Sequence, residues 1–145
     1  MPWESVFSAA STLAFGAWVA LVALPRWPAL LTGLRSVVIG ALAIAYTVLI
    51  LVYFARADGG FGSLAQVQSL FASQPVALAG WLHYLAFDLF VGLWIAERAD
   101  ALGVSRLIQA PLLLATFMFG PVGLLAAFGL AQLSRLSSIE TERQR

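Results

Sequence analysis

Four apolar stretches, each long enough to cross a hydrocarbon core, take up most of this 145-residue chain and leave it few ways to fold. A spanning helix needs roughly 20 mostly apolar residues, and in lipid only helices and closed barrels satisfy every backbone N–H and C=O. The first stretch covers residues 5–24 and stops at Pro25-Arg26-Trp27-Pro28, where two prolines break the helix and the Trp and Arg suit an interface. The second covers 34–54 and closes on the glycines of "ADGG". The third covers 76–96 and ends at "ERAD". The fourth covers 105–133, interrupted by Pro111 and Gly120-Pro121. Each of those prolines frees the carbonyl four residues earlier, at Leu107 and Phe117, so a kink near Phe117 is expected.

Between the second and third stretches, "FGSLAQVQSLFASQP" is too polar to span. Ser63 followed by Gln66 has the spacing of a capping box, and Leu64, Val67, Leu70 and Phe71 then share one face. A short helix lying flat in the interface is the expected result. The fold class is therefore an all-α integral membrane protein with four transmembrane helices and a short interfacial helix between helices 2 and 3. A single transmembrane domain would occupy 1–133 and a polar tail 134–145. Four spans put both termini on one side of the membrane. Arg26, Arg35, Arg98 and Arg106 would then face Arg56, Arg135, Arg143 and Arg145, a tie that the short 26–35 loop tips towards a cytoplasmic loop. Glu4 precedes the first stretch without basic company, which reads as a retained anchor rather than a cleaved signal.

Composition narrows the chemistry. Only 10% of residues are charged, against about 25% in soluble domains, and eight arginines face seven acids. That balance offers nothing to nucleic acid. The chain has no cysteine, which excludes disulfides and thiolate metal sites. It has no lysine either, which excludes a Schiff base and a P-loop.

Against this background "GWLHYLAFDLFVGLW", residues 80–94, stands out, because it carries the only histidine, His83, and a carboxylate, Asp88. At 100° per residue His83, Phe87, Phe90 and Trp94 form one stripe, and Trp81, Tyr84, Asp88 and Ile95 another, roughly 140° away. A direct His83–Asp88 pair on one helix is not expected; Tyr84, one turn before Asp88, is the local partner. Asp88 lies about 18 Å into its helix, near the middle of a core about 30 Å thick, where an unpaired aspartate is expected to face the bundle and keep its proton. Two readings stand beside each other: hydrogen-bonding glue between helices, or a proton donor to an oxygen on an apolar ligand. The aromatics Trp81, Phe87, Trp94, Phe117 and Phe119, with Thr116, read either as packing or as ligand-binding residues. Gly92, Gly120 and Gly123, with Pro121 at the break, are expected to let helices 3 and 4 approach closely.

"GWLHYLAFDLFVGLWI" and "APLLLATFMFGPVGLL" together resemble the ABA-deficient-4-like family, the neoxanthin-synthase-like membrane proteins of plants, algae and many bacteria. The resemblance rests on Gly-Trp-x-His-Tyr with Asp88 five residues past the His, and on Thr-Phe-Met-Phe-Gly-Pro-x-Gly-Leu-Leu from Thr116. It implies a small four-helix membrane protein tied to carotenoid metabolism, in plants the conversion of violaxanthin to neoxanthin. Opening such an epoxide to an allene needs an acid and a base and no redox cofactor or metal. Asp88 and His83 fit those roles by type, with Tyr84 and Thr116 as orienting groups. The other reading is a non-catalytic carotenoid- or isoprenoid-binding subunit, as a homo-oligomer or beside a partner membrane enzyme. The Ala- and Arg-rich, lysine-free composition suggests a bacterial inner membrane.

Overall fold

The computed structural model describes the backbone over residues 2–143 and the side chains over 3–132, and every element there is helical. Helix α1 spans Pro2–Ala23. Helix α2, Pro28–Gly33, runs without a break into a π-helical stretch, Leu34–Ile39, then α3, Gly40–Tyr53, and a 3-10 turn, Phe54–Arg56. Helix α4 spans Leu64–Ala72, α5 Gln74–Ala101, α6 Arg106–Phe119 and α7 Pro121–Arg143. Three helical runs are long and apolar enough to cross a membrane: Trp3–Ala23, Pro28–Arg56 and Gln74–Ala101.

The second run starts earlier than its hydrophobicity implies. Pro28 is the first helical residue, where a missing N–H costs nothing, and extended Trp27 precedes it. The Arg26 guanidinium donates from Nε to the Leu21 carbonyl at 3.1 Å, capping an orphan acceptor at the end of α1.

The chain divides into two compact units, residues 1–90 and 91–145, with α5 continuous through both. In the first unit α1, α3 and the N-terminal half of α5 pack around Ala10, Ala14, Leu42, Leu49, Ala79, Leu82 and Ala86. The alanines let backbones approach closely, which is how helices associate in lipid. Trp3 at the start of α1 meets Tyr53 at the end of α3 edge-on, with centroids 5.3 Å apart.

The short helix α4 forms as its capping pattern predicts. Ser63 Oγ accepts from the Gln66 N–H at 3.2 Å. The reciprocal bond lands one residue earlier than in a strict capping box, with Gln66 Oε1 accepting from the Gly62 N–H at 2.9 Å. Gly59, at φ 109°, lies so close to α4 that a Cβ there would sit 2.6 Å from the Leu70 nitrogen. At the other end the Phe71 ring rests on Gly80 of α5, where a Cβ would come within 2.5 Å of it.

In the second unit the fourth apolar stretch does not form one helix. Gly120, at φ 21° and ψ −80°, ends α6, and Pro121 begins α7 in the position where a proline is harmless. What reads in the sequence as a kink near Phe117 is a full break three residues later. The two helices fold back on each other: a Cβ on Gly123 would collide with the Thr116 side chain and sit 2.5 Å from its backbone nitrogen. Farther along α7, Phe128 meets Trp94 of α5 edge-on at 5.9 Å. A small cavity is lined jointly by Arg98 and Leu102 of α5, Leu112 of α6, and Leu130 and Ala131 of α7. The 14 residues of α6 rise about 21 Å, short of the roughly 30 Å core. Helix α7 then returns towards the level where α5 ended.

Candidate functional site

Helix α5 carries the candidate residues because its 28 residues, about 42 Å, place Asp88 near its midpoint. Its buried positions include Leu78, Leu82, Leu85, Leu89 and Leu93, which turn one side of the helix to the core. Asp88 flanks that side and is partly buried, whereas His83, Phe87, Phe90 and Trp94 are exposed. The stripe that holds Asp88 is mixed, with Trp81 exposed, Tyr84 partly buried and Ile95 buried.

Tyr84 and Asp88 are joined by a side-chain hydrogen bond. The second carboxyl oxygen of Asp88, Oδ2, is buried and has no hydrogen-bond partner among the described residues. Leaving a buried polar atom unmatched costs about 1–3 kcal/mol, more if it is charged, so this oxygen demands an explanation. Tyr84 in turn stacks on Trp81, with centroids 5.2 Å apart. Trp81 is fixed from α1 by two contacts: its indole N–H donates to Ser11 Oγ at 3.0 Å, and its ring lies 5.4 Å from that of Phe7. The carboxyl is thus held at the end of a relay, Ser11–Trp81–Tyr84–Asp88.

His83 belongs to a different set. Its ring stacks on Phe87 at 4.3 Å and faces Tyr46 of α3 at 5.7 Å. It makes no hydrogen bond to Asp88 among the described residues.

The remaining candidates lie in the second unit. Thr116 is fully buried and donates to the Leu112 carbonyl at 2.9 Å. Phe117 is partly buried and Phe119 exposed, at the end of α6. Trp94 packs on Phe128 and carries the Arg98 guanidinium 5.9 Å above its ring. Gly92 is buried on α5, Gly120 and Pro121 form the turn, and Gly123 is the close contact between α6 and α7.

Gln109 escaped the sequence reading. It is fully buried, and its Nε2 donates to Asp100 Oδ1 at 2.8 Å and to the Val104 carbonyl at 2.7 Å. Arg106 adds an ion pair to the same Asp100 oxygen at 3.7 Å. This cluster ties the end of α5 to the start of α6. The available signal was a lone amide inside "RLIQAPLLLATF".

The described residues are all-helical, with three runs long and apolar enough to cross a membrane. The chain belongs to the ABA DEFICIENT 4-like family, whose model matches residues 5–126. No curated protein and no solved structure matches it.

Proposed function

We propose that the protein is a multi-pass integral membrane protein of carotenoid metabolism that isomerises an epoxy-carotenoid of the violaxanthin type by acid/base chemistry centred on Asp88. Family membership supports the carotenoid assignment. The buried Oδ2 of Asp88 carries the chemical reading, because an unmatched oxygen on a fixed carboxyl is a place for a ligand oxygen to complete.

In this reading protonated Asp88 donates from Oδ2 to the epoxide oxygen. The bond from that oxygen to the polyene-side carbon breaks, leaving a hydroxyl on the other carbon. The hydrogen on the next polyene carbon leaves as a proton, and its electron pair completes the cumulated double bond of an allene. The Asp88 carboxylate that gave the first proton takes the second, so the product is an isomer and the acid is regenerated. Tyr84 holds the carboxyl's orientation throughout. His83, on the other stripe, stacked on Phe87 and tilted against Tyr46, positions that stretch of helix rather than acting as the base.

A second reading is kept by one observation. The only imidazole makes no hydrogen bond to the acid among the described residues, so no base is hydrogen-bonded to the carboxyl. A non-catalytic subunit that holds a carotenoid for a partner enzyme would need none. Expression in a host that accumulates epoxy-carotenoids decides between them. An allenic isomer of unchanged mass supports the enzyme; pigment that co-purifies unaltered supports the binding subunit.

A further inference from the structure

We infer that the cleft between the N-terminal ends of α1 and α5 is a binding subsite for a hydroxylated end ring of a polyene, a proposal that rests on the carotenoid reading above. The cleft has a volume of about 360 Å³ and is bordered by Trp3, Glu4, Phe7, Gln74, Ala77 and Trp81. Its walls are held in place: Trp3 by Tyr53, Phe7 by Trp81, and Trp81 also by Ser11. A cleft with prearranged aromatic walls accepts a flat or puckered ring at little ordering cost.

Its polar groups identify the occupant. Glu4 and Gln74 lie in the first turns of α1 and α5, and both are exposed. Neither side chain is hydrogen-bonded to another described residue. A carboxylate at the mouth repels a lipid phosphate and accepts from a hydroxyl, so the charge favours a neutral alcohol over an anionic headgroup. Below the mouth the walls are apolar, which suits a hydrocarbon ring.

The cleft also lies on the same face of α5 as the acid. Gln74, Ala77, Trp81, Tyr84 and Asp88 follow one another at spacings of three and four along α5 and so share one face of it. Gln74 and Asp88 are 14 residues apart, about 21 Å along the axis. A long polyene with its ring in the cleft would lie along this face with its far end at the depth of Asp88. The contact Trp81 makes with Tyr84 then couples ring occupancy to the group that orients the carboxyl.

The test measures binding alone, by quenching of tryptophan fluorescence in purified protein in nanodiscs. The probes are a C40 polyene with a hydroxyl on each end ring and the same hydrocarbon without hydroxyls. The dihydroxy probe should bind about tenfold tighter, as expected for a hydrogen bond to a charged acceptor. Glu4→Leu should remove that difference while leaving the hydrocarbon's affinity in place. Ala77→Phe, which fills the cleft from α5, should weaken the dihydroxy probe at least tenfold while the protein melts as the wild type does. Equal affinity of the two probes for the wild type would overturn the subsite, as would unchanged binding of the dihydroxy probe by folded Ala77→Phe. Those failures leave turnover untouched, so the isomerase reading survives them. Conversely, selective binding without any turnover in the wild type upholds the subsite and removes the isomerase.

Discussion

Tyr84 and Asp88, one turn apart on α5, share a hydrogen bond that satisfies one carboxyl oxygen and leaves Oδ2 buried without a partner among the described residues. A structural pair would be expected to close both ends. In the proposed reading the tyrosine orients the group and a ligand oxygen would complete the other.

Tyr84→Phe tests that division of labour. Loss of the hydroxyl should lower turnover about tenfold through misorientation, with stability reduced by about 1 kcal/mol, the usual worth of a hydrogen bond. Rates in membranes and thermal melts in detergent measure the two effects separately. An unchanged rate would mean Tyr84 does not orient the acid.

The α6–α7 hairpin makes a prediction about topology. A chain that enters about 21 Å and returns leaves on the side it entered, so Ser105 and Gln132 should be on the same face and Ser5 on the other. The protein has no cysteine, so single substitutions to cysteine report one site each. An impermeant thiol reagent in intact cells should label Ser105→Cys and Gln132→Cys alike and Ser5→Cys oppositely. Opposite labelling of Ser105→Cys and Gln132→Cys would restore a full fourth crossing.

Packing inside that hairpin is equally specific. Gly123→Ala forces a methyl into the Thr116 backbone, which cannot yield as a side-chain tip would, and should cost about 1–3 kcal/mol. Thr116→Ala removes the hydroxyl but not the backbone, so it should not rescue Gly123→Ala. Full rescue in thermal melts of the double variant would show that only the side chain is in the way.

Gln109→Leu removes both donors of a fully buried amide and leaves the Val104 carbonyl without the amide's hydrogen bond. A loss of about 1–3 kcal/mol is expected, with proteolysis enhanced near 102–105. A melt identical to the wild type's would show that the cluster contributes nothing to holding α5 to α6.

These features differ in how far they could be read from residues alone. The three long helical runs were legible because length and apolar content are local properties, and α4 was legible because Ser63 and Gln66 signal their own hydrogen bonds. The division of α5 into a His83 stripe and an Asp88 stripe followed from the helical period. Gly120-Pro121 announced a break, but whether a Gly-Pro pair bends or reverses a helix depends on what the two arms meet, here Thr116 against Gly123. The Trp81–Ser11 bond joins residues 70 apart in the chain, a pairing that arises only once α1 and α5 are packed.

Conversion of an epoxy-carotenoid by Asp88→Asn in membranes tests the central claim most directly. Asparagine keeps the size of the side chain and can accept the Tyr84 hydrogen bond but cannot transfer a proton to the ligand. Turnover should fall by about 10²- to 10⁴-fold while the thermal melt and carotenoid content stay near wild type. His83→Gln, measured beside it, should lose far less. Wild-type turnover by folded Asp88→Asn would contradict the account.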